Sequence, residues 1–366
     1  MSEGDPSVQA AARSGFGRGF LTDLWYFACL SGDLRRGAAR HYEIMGEPVM
    51  LGRTPDGSVI ALRDICPHRA APLSAGRFTR EPGGAETIEC PYHGWRFGAD
   101  GRCKAIPSLA SDQGFDIDRV RVRRYPVVEA QGLVFIWVAG AANFELEPTE
   151  PPPEFPGMVG GRPKLVERMR FDAHIDHAVV GLMDPAHGPF VHKQWWWRTR
   201  ASRHEKVKHF VPSPGGFTMV RHTPSSNSRA YGLLGGRPST EIAFRLPGLR
   251  WEHIIVGRRQ VLALTCLTPV NAGTTEITQI VWSDHPVFAL LGPAIRLAAR
   301  RFLRQDGDMV NLQKRGLQQG PTMLWIDDAD RQAKWYQALK TEWAASRREG
   351  RAFNNPVTAA ALRWIS

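Results

Sequence analysis

The amino-acid sequence predicts an α+β protein in which a small all-β domain precedes a larger domain of antiparallel strands and helices. Three observations predict this class. Short apolar segments separated by Gly, Asp and Pro fill the first 140 residues, a proline-rich run follows, and strand-like segments are mixed with two long helix-like segments after it. With 366 residues, 43% hydrophobic and 23% charged, the chain has the length of two domains and an ordinary globular composition.

The N-terminal part is expected to contain a loose arm, a β-domain and a linker. Residues 1–19 are rich in Gly, Ala and Arg and predict a flexible arm. Residues 20–147 predict the all-β domain, because apolar segments of strand length are bounded by turn residues. Residues 148–160 are rich in proline and predict the linker. The clearest strand segments are Leu24–Phe27, Pro48–Leu51, Val59–Leu62 and Leu133–Val138.

The second domain is expected at residues 161–366. Gly350 predicts the end of its last helix, because glycine accepts the left-handed conformation that closes a helix. The predicted strands include Ala243–Arg245, Trp251–Val256 and Thr275–Trp282, and the predicted helices are Pro293–Gln318 and Asp328–Arg348.

The cysteines and the hydropathy of the sequence indicate in which cellular compartment the protein is expected. The five cysteines are scattered without a pairing pattern, which argues against a disulfide framework and favours a reducing compartment. The N-terminus has no basic region followed by an apolar run, and no stretch of eighteen apolar residues exists. We therefore expect a cytoplasmic protein with no transmembrane segment.

The net charge of +11 is concentrated in the second half of the chain. Residues 1–150 hold 17 Lys and Arg against 19 Asp and Glu, whereas residues 151–366 hold 30 against 17. The positive charge of this half could steer an acidic partner, attract an anionic substrate or bind an acidic membrane surface. The plainer alternative is a basic surface with no binding role. No nucleic-acid motif appears, so a nucleic-acid partner is not expected.

Two short motifs predict a metal cluster. Cys66-Pro-His68 and Cys90-Pro-Tyr-His93 together offer two thiolates and two imidazoles. Two Cys and two His hold either a tetrahedral zinc or a [2Fe–2S] cluster in which one iron has two Cys and the other two His. Zinc fingers usually draw one ligand pair from two cysteines and the other from two histidines, whereas each motif here has one of each. The spacing thus favours the cluster, with zinc as the alternative.

The flanking residues carry a family resemblance. In CPHRAAPLSAGR and CPYHGWRFGADGRC the chain resembles the Rieske family, with the gap between His68 and Cys90 a few residues longer than in the family. The resemblance implies that residues 20–147 form a Rieske [2Fe–2S] domain whose ligands are Cys66, His68, Cys90 and His93.

A second motif lies downstream, at Asp184-Pro-Ala-His187-Gly-Pro-Phe-Val-His192. Two His and one carboxylate on one face of an ion form the non-haem Fe(II) site that activates oxygen. Residues five apart lie about 140° apart around a continuous helix, so the two His would diverge on one. Gly188-Pro189 is expected to break the helix and permit convergence.

With this motif the chain resembles the oxygenase component of the Rieske non-haem iron oxygenases, the ring-hydroxylating and demethylating family. The resemblance implies that Asp306 in RQDGDM is the third iron ligand, with Asp308 as the second candidate. It also gives Asp184 a catalytic role, holding His187 and reaching His93 of the partner subunit. The family often has Asn three or four residues before this Asp, where this chain has Gly181 and Val180.

The resemblance further implies an enzyme that uses a [2Fe–2S] cluster, Fe(II) and O2. Its substrate is expected to be a small, apolar aromatic or terpenoid/steroid-like molecule that is hydroxylated, dihydroxylated or demethylated. No nicotinamide or flavin motif is present, so a separate ferredoxin or reductase is expected to supply electrons. The catalytic domain is expected to have an antiparallel sheet flanked by helices, and the chain to form a homotrimer. The alternative function is a Rieske electron carrier without oxygenase activity.

Overall fold

The computed structural model describes residues 16–110, 112–140, 147–157, 161–192, 194 and 199–366. It divides the chain into two compact units. One is Thr22–Glu154, and the other joins the N-terminal segment up to Leu21 with Phe155–Ser366. The division lies inside the proline-rich run at residues 148–160, whose described part forms no helix or strand.

The unit at Thr22–Glu154 is built from three small antiparallel sheets. Their strand orders are β1-β10-β9, β2-β3-β4 and β5-β6-β7-β8. The strands are β1 (Leu24–Leu30), β2 (Ala38–Ile44), β3 (Glu47–Arg53), β4 (Val59–Arg63), β5 (Arg77–Arg80), β6 (Glu86–Glu89), β7 (Arg96–Gly98), β8 (Cys103–Ala105), β9 (Val127–Ala130) and β10 (Leu133–Val138).

Part of this unit's core surrounds the two cysteine motifs. Leu73, Ile88 and Phe97 are fully buried there and pack in one cluster with the thiols of Cys66 and Cys90. This apolar support fixes the loops that carry the motifs, because close-packed side chains leave little room for a loop to move.

The second unit is organised around one antiparallel sheet of eight strands, in the order β11-β17-β16-β15-β14-β13-β12-β18. The strands are β11 (Leu165–Phe171), β12 (Glu205–Ser213), β13 (Gly216–His222), β14 (Ser239–Arg245), β15 (Leu249–Val256), β16 (Arg259–Asn271), β17 (Thr274–Ser283) and β18 (Ala360–Ile365).

Five described α-helices accompany this sheet. The two long ones confirm the predicted helices to within two residues, and Gly350 closes the last helix at φ 64° as predicted. The fold class is thus α+β, as predicted. The helices are α1 (Ile175–Met183), α2 (Gly188–Val191), α3 (Val287–Leu290), α4 (Gly292–Leu317) and α5 (Asp327–Glu349).

The described end of the N-terminal segment is fastened to the second unit. The backbone N–H of Gly17 donates to the Asp176 carboxylate at 2.6 Å, and the carbonyl of Gly19 lies 3.1 Å from His174 Nε2. Asp176, which is fully buried, also accepts from Tyr336 Oη and Lys340 Nζ, both at 2.6 Å. Residues 16–19, expected to belong to a flexible arm, are therefore held by a buried polar network beside α1.

All five cysteines are buried, and none of them forms a disulfide bond. Among the helices that the structure describes, none combines the length and apolar character that crossing a bilayer requires.

Candidate metal centres

Tight loops present the first four candidate ligands. The loop after β4 is closed by hydrogen bonds from Cys66 N to Ala71 O and from Ala70 N to Cys66 O, both 2.9 Å. The loop after β6 is closed by a hydrogen bond of 2.8 Å from Cys90 N to Trp95 O. Each cysteine thus begins a short hydrogen-bonded turn that also carries one histidine.

The ligand atoms of these loops form two pairs. The rings of His68 and His93 lie 4.5 Å apart, and His68 stacks on Trp95 at 4.6 Å. The two cysteines are buried, and burial raises the pKa of the Cys66 thiol to about 11, with the neighbouring Cys90 thiol acting in the same direction. Cysteine therefore pairs with cysteine, and histidine with histidine, across the two loops.

This pairing suits a cluster better than a single zinc ion. A tetrahedral zinc brings all four donor atoms within about 4 Å of one another, given bonds of about 2.0–2.3 Å. Among the described residues, the groups of three or more donors within 4.8 Å do not include any three of these four. Nδ1 of His68 is buried without a hydrogen-bond partner in the described part of the chain. A buried imidazole nitrogen of this kind fits a metal-bound atom.

Two glycines shape the second loop. Gly94 has φ 70°, a conformation that favours glycine, where the chain turns after His93. Gly101, at φ 77°, packs so closely that a Cβ atom would lie 2.2 Å from the Val122 carbonyl oxygen. The backbone at Gly101 therefore approaches Val122 more closely than any residue with a Cβ atom would allow.

The second candidate centre brings together His187, His192 and Asp306. The two Nε2 atoms lie 3.3 Å apart, and Asp306 Oδ1 lies 3.5 Å from each of them. Bonds of about 2.0–2.2 Å place donors on one face of an ion about 3 Å apart. The three donor atoms are therefore spaced as a two-histidine, one-carboxylate face requires.

A single-turn helix makes the two histidines converge. His187 immediately precedes α2 and His192 immediately follows it, with extended backbone angles of φ −84° and ψ 114°. The expectation that Gly188-Pro189 breaks the helix between the histidines is wrong, because these residues begin α2 instead. Proline is tolerated in the first turn, where its missing N–H has no intrahelical partner. The break lies earlier, at Asp184, which ends α1.

Hydrogen bonds assign the proton of each imidazole. His187 Nδ1 lies 2.7 Å from the carbonyl oxygen of Asp184, so it donates there. His192 Nδ1 lies 3.3 Å from Gln305 Oε1, which also accepts from Gln194 Nε2 at 3.0 Å. In neutral imidazoles both Nε2 atoms then present lone pairs to each other and to the carboxylate. Three acceptor atoms at this distance repel unless a cation lies among them.

Asp306 rather than Asp308 faces the histidines. Both lie on α4, but Asp308 is exposed and two residues further along the helix, where the side chain points away from Asp306. Burial raises the pKa of Asp306 to about 7, and the positive charge of nearby Arg250 acts in the opposite direction. A bound cation would favour the ionised form further.

Asp184 contacts His187 mainly through its backbone. Its carboxylate Oδ2 is 3.8 Å from His187 Nδ1, whereas Oδ1 accepts from the N–H of Ala186 at 2.7 Å. The carboxylate was expected to hold His187, but the turn that follows α1 engages it, and the carbonyl makes the short contact instead. About a third of the Asp184 side chain remains exposed.

A cavity of about 280 Å³ adjoins the three candidate iron ligands. Its lining combines apolar side chains, such as Met219 and Ile242, with the charged Arg250 and Glu252. This mixture and size suit a small organic molecule that has both apolar and polar parts.

Sequence reasoning missed Gln194, Gln305 and Arg250. The two glutamines lie within two residues of the predicted ligands His192 and Asp306, and that proximity was the available signal. Arg250 lies one residue before the strand predicted from Trp251. The sequence analysis therefore did not indicate that Arg250 and Glu252 share one face of that strand. Residues 195–197, three consecutive tryptophans, lie outside the described residues.

Comparison with known proteins yields one family and several relatives. Residues 24–126 match the Rieske [2Fe–2S] domain family. The oxygenase component of dicamba O-demethylase from Stenotrophomonas maltophilia is 34% identical over 175 residues, 48% of each chain. Pheophorbide a oxygenase from Oryza sativa subsp. japonica is 30% identical over 338 residues, 85% of this chain and 59% of that one. The chain thus spans less than two thirds of the length of these relatives.

A solved structure supports the same fold over nearly the whole chain. The crystal structure of dicamba monooxygenase bound to dicamba superposes with a TM-score of 0.70 at 24% identity, covering 89% of this chain and 99% of that one. Residues 24–126 therefore belong to the Rieske [2Fe–2S] domain family, in a chain whose relatives and structural neighbours are Rieske non-haem iron oxygenases.

Proposed function

We propose that this protein is the terminal oxygenase of an electron-transfer system and oxidises a small organic molecule with O2. The observation that carries the proposal is the convergence of His187 Nε2, His192 Nε2 and Asp306 Oδ1 within 3.5 Å. That donor set is typical of non-haem iron sites with open positions for oxygen and substrate.

The chain's own residues would hold two centres. Cys66, His68, Cys90 and His93 would bind the [2Fe–2S] cluster, and His187, His192 and Asp306 would bind Fe(II). When bound, the cluster would supply single electrons and the iron would activate O2, which takes up two electrons and two protons per turnover. The carbonyl of Asp184 and the amide of Gln305 orient the two imidazoles, and the cavity positions the substrate.

The experiment combines iron analysis with turnover. We expect about three irons per chain in the wild type and about two in His192→Ala or Asp306→Ala, since the cluster uses other ligands. Both variants should keep the Rieske spectrum and lose O2-dependent oxidation with a surrogate reductase. Asp308→Ala is the matched control and should keep three irons. If Asp308→Ala loses the third iron and Asp306→Ala keeps it, the assigned ligand is wrong by two residues.

An electron carrier is the second candidate function. A carrier needs the cluster but neither the convergent His–His–Asp set nor a cavity beside it. Two irons per chain in the wild type, with full cluster absorbance and no third iron after reconstitution, would favour the carrier.

The substrate and partners belong to the same proposal. Apolar side chains in the lining support a substrate with an apolar aromatic or terpenoid/steroid-like body. A separate ferredoxin or reductase would deliver electrons, and the basic second half of the chain would help dock an acidic donor. The assembly we propose is a homotrimer, and the compartment a reducing cytoplasm.

A further inference from the structure

A row of polar side chains crosses three neighbouring strands at the cavity. Arg250 on β15 lies opposite Thr265 on β16, and Thr265 lies opposite Gln279 on β17. Directly opposed residues project from the same face of a sheet. All three line the cavity that also contains the His–His–Asp set. They therefore form a continuous polar strip within reach of one bound molecule.

Within the part of the chain that the structure describes, these three side chains have no hydrogen-bond or ion-pair partner. Thr265 is only 7% exposed, and Arg250 and Gln279 are half-buried. A guanidinium has five hydrogen-bond donors and no acceptor. Partial burial of these donors without a hydrogen-bond partner costs desolvation free energy. An acceptor on a bound molecule would offset that cost.

The other charged groups of the cavity already have partners. Lys206 Nζ donates to Ser366 Oγ at 2.9 Å, and Lys208 Nζ donates to the carbonyl of Thr223 at 3.2 Å. Glu252 accepts from Thr240 Oγ1 at 2.8 Å and from the hydroxyl of Tyr231. Among the described lysines and arginines of this lining, Arg250 is thus the one whose side chain has no hydrogen-bond or ion-pair partner in the protein.

We propose that Arg250 binds a carboxylate of the substrate, with Thr265 and Gln279 donating to the same group. The inference rests on the proposed oxygenase function and narrows its substrate to an organic acid with an apolar body. The planar guanidinium matches a carboxylate through two parallel hydrogen bonds. A dianionic phosphate fits less well, because Glu252 and Asp306 place two more carboxylates in the same cavity.

The test uses two acid–amide pairs of equal shape: 4-methoxybenzoate with 4-methoxybenzamide, and indole-3-acetate with indole-3-acetamide. Binding to the full-length protein loaded with both centres is measured by isothermal titration calorimetry. We expect the wild type to bind the acid at least about tenfold more tightly than the amide in one pair or both, given the strength of hydrogen bonds to charged groups. Arg250→Gln should abolish this preference, and Arg250→Lys should keep part of it.

Arg258→Gln is the matched control. Arg258 is exposed in the turn between β15 and β16, so the variant loses the same charge on the same hairpin without touching the cavity. Its acid preference should equal that of the wild type. Unchanged circular dichroism and cluster absorbance would establish that each variant is folded.

Two results would overturn the inference. They are equal binding of acid and amide by the wild type in both pairs, and an acid preference that survives Arg250→Gln. If His192→Ala removes that surviving preference, the carboxylate binds the iron instead. Failure of the oxygenase proposal is recognised separately, by a wild type that holds only two irons per chain after reconstitution and shows no O2-dependent oxidation, whatever happens at Arg250.

Discussion

Gln305 determines which nitrogen of His192 carries a proton. Its Oε1 accepts from His192 Nδ1 and from Gln194 Nε2, so the glutamine is itself held in place. His192 also packs flat against Phe302, with ring centroids 3.3 Å apart. These contacts fix both the orientation of the ring and the lone pair that faces Asp306.

Gln305→Leu should therefore weaken Fe(II) binding without removing a ligand. Loss of an orienting partner typically costs about 10–100-fold in metal affinity. Fe(II) titration of the iron-depleted protein, with the cluster retained, measures the change. Gln318→Leu, at the exposed C-terminal end of the same helix, is the control and should titrate like the wild type. Equal affinities in the two variants would mean that the amide does not orient His192.

Cys90→Ala should remove the [2Fe–2S] cluster, because each iron needs a complete ligand set and a methyl group cannot replace a thiolate. Visible absorbance and the EPR spectrum of the reduced protein report the cluster. Cys103→Ala is an informative control, since Cys103 is buried in the same apolar cluster but its thiol donates to the carbonyl of Ala105. A complete Rieske EPR signal in Cys90→Ala, or its loss in Cys103→Ala, would contradict the assignment.

Residue types predicted the candidate ligands, but not what surrounds them. Cysteine and histidine have few roles at such spacings, so Cys66, His68, Cys90 and His93 stood out in the sequence. Arg250 and Gln305 have common side chains, and their importance depends on what lies across the sheet or beside the helix. The contact between His192 and Gln305 joins residues 113 positions apart, and no local pattern specifies it.

Helix α1 connects the buried polar network to the candidate iron site. Asp176 lies in its first turn, and Asp184 ends it three residues before His187. Burial alone would raise the pKa of Asp176, but the hydrogen bond with His174 and the charge of Lys340 lower it below its ordinary value of 3.8. Because the pKa is lowered on folding, this stabilisation is present above about pH 3.8 and is lost as the pH falls through the folded value.

Lys340→Met should destabilise the second unit by about 3–5 kcal/mol, the usual cost of leaving a buried charge unpaired. Chemical denaturation followed by tryptophan fluorescence measures the effect. Lys334→Met, on the same helix, removes a lysine that pairs with the exposed Asp327 and should change stability little. Equal stability of the two variants would show that the Asp176 network does not stabilise the fold.

The long helices were easier to predict from the sequence than the short one. Long helix-like segments indicated α4 and α5, and Gly350 indicated the end of α5; these signals act locally. The four-residue helix α2 has no such periodicity, and its proline was mistaken for a break because proline both begins and ends helices. Where α2 begins and ends depends on how the two flanking histidines pack, and this packing is a tertiary effect.

At the scale of the whole molecule, Asp184 is the proposed bridge between subunits. Part of its carboxylate is exposed, which leaves an oxygen available for a hydrogen bond with His93 of the partner subunit. Asp184→Asn should keep about three irons per chain but slow electron passage from cluster to iron, because a neutral amide replaces the charged acceptor. Stopped-flow oxidation of the reduced cluster in the presence of substrate measures the rate.

Asp330→Asn is the control for Asp184→Asn. Asp330 lies close enough for the charge of Asp184 to help raise its pKa, after the larger effect of burial. The control thus removes a neighbouring carboxylate and should leave the rate unchanged if the bridge is specific. An enzyme that is strictly monomeric and fully active in dilute solution would contradict both the trimer and the bridge.

The two candidate ligand sets share no residue and lie in different compact units of the chain. Their metals can therefore be gained and lost independently during expression and purification. A red-brown preparation would report only the fraction of chains with a cluster, because a mononuclear iron with nitrogen and oxygen ligands adds little colour. Specific activity should accordingly be expressed per mononuclear iron, since two equally coloured batches could differ several-fold in competent enzyme.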